Sequence, residues 1–355
     1  MEAQKSKSDF INWYSESRPL YVKLSKKVES IIEEIINDQK IPIHAINSRA
    51  KEINSFAKKI EDSKYSDPFK QITDLSGIRI IAYVESDLDI ISKLIEKHFV
   101  IDKANSVNKN KSLGTDKVGY RSIHYIAKLP DDRLKFPEYK KFENLCFEIQ
   151  LRTILQHAWA EIEHDKNYKF TGVLPETLKR RFNVLAGVLE MADREFNQIA
   201  SEIDKRSDSV TADTKQGKLD ISIDSTSIKS FLKIKFDSLI KLGLRPEFPN
   251  DDYERKILIE LSDFGIITLE DLDRIIPDDF NSKILNFQNI SKQNYAGILR
   301  DIMMLKDANK YFKRCWKKNW LGADESSVNF IKSYNPAIEE ILNEHDVEIA
   351  DFDPD

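Results

Sequence analysis

The sequence predicts an α/β domain followed by a smaller, mainly α-helical domain, and three observations carry that reading. Gly77-Ile78-Arg79-Ile80-Ile81-Ala82-Tyr83-Val84 is rich in β-branched residues and reads as a strand. Phe147-Glu148-Ile149-Gln150-Leu151-Arg152 alternates apolar with polar, which sends Glu148, Gln150 and Arg152 to one strand face. Beyond Ser225 the apolar residues recur only at helical spacing.

Taken in chain order, Leu20, Leu24, Val28, Ile31, Ile32 and Ile35 mark a first long helix that ends before Pro42. A second helix is expected over Ala45 to Asp62, with Lys51, Ser55, Lys58 or Lys59 and Asp62 on a polar, basic side and Ile46, Ile53, Ala57 and Ile60 on another. Asp74 stands at the mouth of the Gly77 strand. A helix over Asp87 to His98 and a strand starting at Phe99 follow, then a polar loop from Asn105 to Val118. Gly119-Tyr120-Arg121-Ser122-Ile123-His124 is a further strand that puts Tyr120, Ser122 and His124 on one face. The chain turns helical from Thr153 through Tyr168, and Pro175 suits the first turn of a helix running to about Arg206.

Ser207 to Ser225 is rich in Ser, Thr, Asp and Lys and is the expected linker, giving domains over residues 1–206 and 226–355. In the second domain helices are expected over Ile228 to Leu242, Tyr253 to Phe264, Leu269 to Ile276, Tyr295 to Met304, Asp307 to Trp316 and Asn329 to Asn343. Thr268 with Asp271 forms an acidic capping box for the third.

At 355 residues the chain can bury two proper cores, and its 32% charged and 41% hydrophobic residues are ordinary for a water-exposed globular protein. No apolar stretch would span a bilayer, and Met1 to Ser8 lacks the apolar core of a secretory signal, so a cytoplasmic location is expected. Cys146 and Cys315 are isolated and offer neither a disulfide framework nor a zinc site of Cys spacing; any metal would be held by oxygen. The net charge of -5 argues against a blanket nucleic-acid binder. Local basic groups do occur: Lys23, Lys26 and Lys27, and then Lys310, Lys313, Arg314, Lys317 and Lys318 interleaved with Tyr311, Phe312, Trp316 and Trp320. Backbone phosphates are one reading of these groups, and amphipathic helices with inward aromatics the other. Glu348 to Asp355 is an acidic tail, read either as a solubilising end or as a phosphate mimic that restrains the basic face.

Five pieces in fixed order carry a resemblance: Ser48-Arg49-Ala50-Lys51 with Ser55, Asp74-Leu75-Ser76-Gly77-Ile78-Arg79, Gly119 to His124, Glu148-Ile149-Gln150-Leu151-Arg152-Thr153, and His157-Ala158-Trp159-Ala160-Glu161. From Tyr21 to about Ala200 the chain resembles the synthetase domain of the RelA/SpoT family of pyrophosphokinases. The resemblance implies a nucleotidyltransferase-like mixed β-sheet flanked by helices and transfer of the β,γ-pyrophosphate of ATP to a ribose 3′-hydroxyl. It implies Mg²⁺ held by Asp74 and Glu148, with Glu148 also orienting or deprotonating the acceptor hydroxyl. The plainer readings are a turn cap for Asp74 and a salt bridge to Arg152 for Glu148. Arg49 and Arg79 would sandwich adenine, while Lys51, Ser55 and Lys59 would grip phosphates unless they are simply a solvated helix face. Tyr120 would stack on the acceptor base, with Lys117, His124, Gln150 and Arg152 around the acceptor, whereas His157 and His164 are expected to be structural.

Many family members carry Asn just before the Gly-Tyr pair, where this chain has Val118, and the acceptor stays open. Leu178-Lys179-Arg180-Arg181-Phe182-Asn183 and Leu185 to Asp193 resemble toxin-type members. The favoured acceptor is therefore the 3′-terminal adenosine of tRNA, in a toxin fused to an antitoxin or sensor domain that answers a phage or cellular protein. GDP or GTP as acceptor, giving an alarmone, is the alternative. An inactive nucleotide- or RNA-binding module is the third reading, against which two carboxylates facing an anion argue.

Overall fold

The computed structural model describes residues 6–61, 65, 67–108, 122–169, 175–287, 290–318, 320 and 322–350, with backbone alone for 70, 108 and 164–169. Its contacts divide the chain into Met1–Ala200 and Ser201–Asp355.

The first unit opens with α1 (Lys7–Asp38), started by a capping box between Ser6 and Asp9 and carrying Pro19 within it. Then come β1 (Ile43–Ala50), α2 (Ile53–Glu61), α3 (Pro68–Gln71), β2 (Ser76–Ala82), α4 (Glu85–His98), β3 (Val100–Asn108) and β4 (Ile123–Lys128). Two short helices, α5 (Asp131–Leu134) and α6 (Pro137–Lys140), precede β5 (Phe147–Thr153), α7 (Ile154–Lys169) and α8 (Glu176–Lys215), whose residues after Ala200 belong to the second unit. The five strands lie in the order β1-β2-β5-β4-β3. The β2–β5 pair is parallel and the other pairs are antiparallel, so the sheet is mixed, as expected. Tyr14, Leu24, Val28 and Ile32 of α1, with Leu88, Ile91 and Ile95 of α4, share one core with Ile78, Ile80, Phe147, Ile149 and Leu151 of the sheet. Burying one face this way leaves the alternate residues of β2 and β5 pointing to the other.

Two expectations fail here. Residues 45–50 are strand, because β1 pairs along β2 from Ile43 to Ala50, and α2 starts only at Ile53. Sheet pairing outweighs a helical spacing that Ile46 and Ile53 only suggested. Residues 207–215 are helical rather than linker: α8 runs on to Lys215, and Val210 is buried, so a few apolar positions are enough to hold a polar stretch in a helix.

The second unit holds α9 (Ser225–Lys235), α10 (Asp237–Lys241), α11 (Asp251–Phe264), α12 (Leu269–Ile275), α13 (Phe280–Ile284), α14 (Tyr295–Arg314), α15 (Glu325–Lys332) and α16 (Ile338–Glu344). A two-stranded parallel pair, β6 (Gly322–Ala323) with β7 (Glu348–Ile349), was not foreseen. The Thr268–Asp271 capping box is present. The helix expected over Ile228 to Leu242 breaks at Phe236, and that over Asn329 to Asn343 breaks before Pro336, which cannot donate into a helix interior. The helices expected to either side of Met304 and Asp307 are both present, meeting within α14 at a non-helical break at Asp307, whose φ is -165° and ψ 91°. Tyr311 and Phe312 are buried in the core with Trp316 and Trp320 packed against it, so the basic aromatic segment turns its rings inward. Lys317 pairs with Asp263 at 2.9 Å, and Lys310 lies 4.5 Å from the Phe264 ring centre. Of the acidic tail, Glu348 is in β7, and residues 351–355 lie outside the described residues.

Candidate active site

Register alone assembles the site. Arg49 lies opposite Gly77 and Asn47 opposite Arg79 on the β1–β2 pair. On the next pair Gly77 faces Glu148 and Arg79 faces Gln150, and on β4 His124 is opposite Gln150. Residues directly opposite share a sheet face, so one row of polar side chains crosses four strands. Its β1, β2 and β5 members, Asn47, Arg79 and Gln150, line a cavity of about 410 Å³ together with Arg49, Lys51, Ser55, Asp74 and Glu148. The size suits a nucleotide-scale ligand.

Asp74 sits just before β2, beside Leu75, whose carbonyl accepts the backbone N–H of Lys51 at 3.0 Å. That bond pins the turn between β1 and α2 against the start of β2. Lys51 Nζ reaches Asp74 Oδ2 at 2.7 Å, and Lys59 Nζ from α2 reaches the same oxygen at 2.9 Å. Asp74 Oδ1 is buried and has no hydrogen-bond partner among the described residues. Burial alone would raise the Asp74 pKa, but the two ammonium groups outweigh it and hold the carboxyl below its ordinary value. Lys59 is likewise opposed by burial, and Asp74 wins and pushes it up.

Glu148 is held from both sides. His124 Nδ1 lies 2.7 Å from Oε1, and Gln150 Nε2 donates to Oε2 at 2.8 Å. An ionised carboxylate only accepts, so Nδ1 carries the proton; Nε2 lies 2.9 Å from Ser122 Oγ, which donates to it when the ring is neutral and accepts from it when the ring is protonated. Burial acts to raise the Glu148 pKa, yet the His124 hydrogen bond and charge, helped by Gln150, keep it lowered; Asp74 opposes them through its own charge. The two carboxylates thus feel each other across the cavity.

Arg79 Nη1 bonds Glu161 Oε1 of α7 at 2.7 Å, and His157, one helical turn earlier, has its pKa lowered by burial and by Arg79. Glu161, Asn47 and Glu52 were given no role from the sequence; the His157-to-Glu161 piece was the only signal for the first. His124, expected beside the acceptor, lies with its ring nitrogens against Glu148 and Ser122. Arg152 is buried near the end of β5 and does not line the cavity. The Glu148–Arg152 salt bridge gives way to the His124 and Gln150 contacts. Lys117 and Tyr120 lie outside the described residues, as does the His164 side chain.

An orphaned oxygen on Asp74 and the oxygens of Glu148 form a hard donor set that fits Mg²⁺. Among the described residues no group of three or more His, Cys, Asp or Glu could hold a metal. Two protein carboxylates with phosphate and water as the remaining ligands is how Mg²⁺ is commonly held.

A mixed sheet with a polyphosphate-sized, lysine-lined cavity and paired carboxylates defines a nucleotide-dependent group-transfer enzyme. Residues 48–172 match the family model described as the region found in RelA/SpoT proteins. The chain is 29% identical to the GTP pyrophosphokinase YjbM of Bacillus subtilis (strain 168) over 190 residues, 52% of this chain and 83% of the relative. It is 29% identical to the GTP pyrophosphokinase YwaC of the same organism over 168 residues, 46% of this chain and 76% of the relative. Among solved structures, small alarmone synthetase 1 from Bacillus subtilis aligns with a TM-score of 0.46 and 24% identity, covering 55% of this chain and 98% of that one. A GTP pyrophosphokinase family protein from Streptococcus pneumoniae aligns with a TM-score of 0.45 and 23% identity, covering 55% and 96%. This chain therefore carries a RelA/SpoT-family region and is an ATP-dependent pyrophosphokinase of that type. Among the described residues no helix is long and apolar enough to cross a membrane.

Proposed function

We propose that the chain moves the β,γ-pyrophosphate of ATP to the 3′-hydroxyl of GDP or GTP, in the cytoplasm where those nucleotides are held. The observation that carries the chemistry is the placing of Asp74 and Glu148 on one cavity, with Lys51 and Lys59 both paired to Asp74. The guanosine acceptor is supported by the activity that the names of YjbM and YwaC state.

In this reading the 3′-oxygen attacks Pβ, the bond from Pβ to the α–β bridging oxygen breaks, and AMP leaves. Glu148 accepts the hydroxyl proton; His124 and Gln150 hold its oxygens toward the acceptor. Lys51, Lys59 and Ser55 receive the phosphate oxygens, and Arg49 and Arg79 clasp the adenine, the second pinned by Glu161. Asp74 and Glu148 would hold Mg²⁺. When bound, it neutralises phosphate charge and orients the chain of phosphates for in-line transfer.

A second reading keeps the chemistry and changes the acceptor to the 3′-terminal adenosine of tRNA, with the protein acting as a toxin. It is favoured by Val118 before the Gly-Tyr pair and by the whole helical unit Ser201–Asp355, which lies beyond the family match at 48–172. That unit would then restrain the enzyme until a phage or cellular protein binds it. Incubation with ATP labelled at the γ-phosphate and, separately, GDP, GTP or tRNA decides between the two. Label in a guanosine product confirms the first reading; label confined to tRNA overturns it.

A further inference from the structure

Asp74, the acid given the metal role above, is engaged by two cations. Lys51, from the turn after β1, and Lys59, two turns along α2, converge on the same oxygen of Asp74 at 2.7 and 2.9 Å. Each is more than two-thirds buried at its side chain, with 17% and 31% exposed, and Asp74 is 23% exposed, so water screens the triad only in part. Arg49 and Arg79 add positive charge to the lining, against Glu52 and Glu148. Glu52 is itself bonded to Arg18, Arg79 to Glu161, and Glu148 to His124 and Gln150. A free divalent cation entering here meets two ammonium groups before it meets an unopposed carboxylate. A polyphosphate meets the same two groups as ready donors.

We infer that Lys51 and Lys59 form an electrostatic latch on Asp74, so that a polyphosphate chain must draw the lysines onto itself before Asp74 can take a metal ion. The two lysines thus act twice, as counter-ions that close the metal site in the free protein and as phosphate donors in the complex. Asp74 Oδ1, without a partner, is the atom left poised for the exchange. Metal binding becomes conditional on nucleotide, and the reverse coupling follows because linkage is reciprocal. The inference rests on the role given above to Asp74.

The test titrates the full chain with Mn²⁺, read by the loss of the free-ion electron paramagnetic resonance signal, alone and with saturating AMPCPP or inorganic tripolyphosphate, each beside a protein-free titration of the same polyphosphate whose own Mn²⁺ chelation is subtracted. Nucleotide affinity is read separately by calorimetry without metal. The latch predicts weak Mn²⁺ binding alone and at least about tenfold tighter binding with either polyphosphate, the size of one charge-assisted hydrogen bond released. Lys51→Met and Lys59→Met should each tighten Mn²⁺ binding in the absence of nucleotide while weakening AMPCPP binding, opposite shifts that general damage to the fold cannot produce. Equal Mn²⁺ affinity with and without polyphosphate in the wild type, or a loss of both affinities in two variants that melt like the wild type, overturns the latch. Failure of AMPCPP to bind the wild type at all is a different result: it removes the donor-site reading of the cavity and the latch with it.

Discussion

Two acids, one in each unit, show what separates a carboxylate left open to exchange from one closed into the packing. Glu260 in the second unit is 1% exposed at its side chain and accepts from Arg300 Nε at 3.0 Å, Arg300 Nη2 at 2.8 Å and the Tyr311 hydroxyl at 2.9 Å. Trp320 Nε1 donates to that hydroxyl in turn, at 3.1 Å. Both oxygens are occupied, the pairing is bidentate, and nothing is left to exchange. Asp74 in the first unit has two cations on one oxygen, none on the other, and a cavity beside it. A closed ion network contributes to a unique packing, whereas an open one is ready to change partners.

The largest expected effect lies on the open side. Glu148→Gln should lower pyrophosphate transfer by about 10²–10⁴-fold, the contribution of a positioned general base. AMPCPP binding measured by calorimetry should stay within a few-fold. Unimpaired transfer would dissolve the contrast, since Glu148 would then be as structural as Glu260.

The closed side is broken by Arg300→Ala, which strands the Glu260 carboxylate and should cost about 3–5 kcal/mol in urea unfolding. Asp74→Asn should cost about 1 kcal/mol or less, because its lysines can turn to water in the cavity. Comparable losses for the two would mean that openness does not set the energetics.

His124 sharpens the comparison within the site. His124→Ala should reduce kcat about 10–100-fold, as removal of a group that orients a ligand-bearing carboxylate does. It should also move the acid limb of the kcat/KM profile to higher pH. The sign follows from the pair: His124 lowers the Glu148 pKa, the base works only when ionised, and without His124 it protonates sooner as pH falls. An acid limb that stays in place would assign His124 to packing alone.

The smallest effect concerns a third acid. Asp193, buried and bonded by the Thr153 hydroxyl at 2.6 Å, has no cation among its named contacts; burial first, then the charge of Glu85, pushes its pKa up to about 6. Its folded value stands above the unfolded one, so the wild type loses stability as pH rises through about 6. Asp193→Asn should therefore gain about 1 kcal/mol at high pH and nothing below the carboxyl's unfolded range, read by thermal melts across pH.

Much of this was legible in the sequence where one local rule and one tertiary demand agree. β2 and β5 announced themselves because burial of one sheet face enforces alternation, and the same alternation put Glu148 and Gln150 together on the other. The Thr268 capping box was visible for the same reason, being a local exchange of two hydrogen bonds. Residues 45–50 misled because β1 is an edge strand, half-exposed, whose only strong instruction is its partner β2, far along the chain. The continuation of α8 past Arg206 was hidden because its polar composition fits a linker as well as an exposed helix surface. The His124–Glu148 and Arg79–Glu161 pairs could not be read from spacing: the first depends on the register between β4 and β5, the second on where α7 sets down. The five ordered pieces did carry the pyrophosphokinase chemistry, since its donors are fixed in type as well as in place.

The most direct measurement follows the fate of each phosphate when the wild-type chain meets ATP labelled separately at α and γ, with GTP as acceptor. The paired carboxylates predict that the γ label moves to the acceptor's 3′-position while the α label leaves as AMP, in equal amounts, and that Glu148→Gln lowers both by the same factor, about 10²–10⁴-fold. Release of ADP with a singly phosphorylated acceptor, or undiminished transfer by the Glu148 variant, would contradict them.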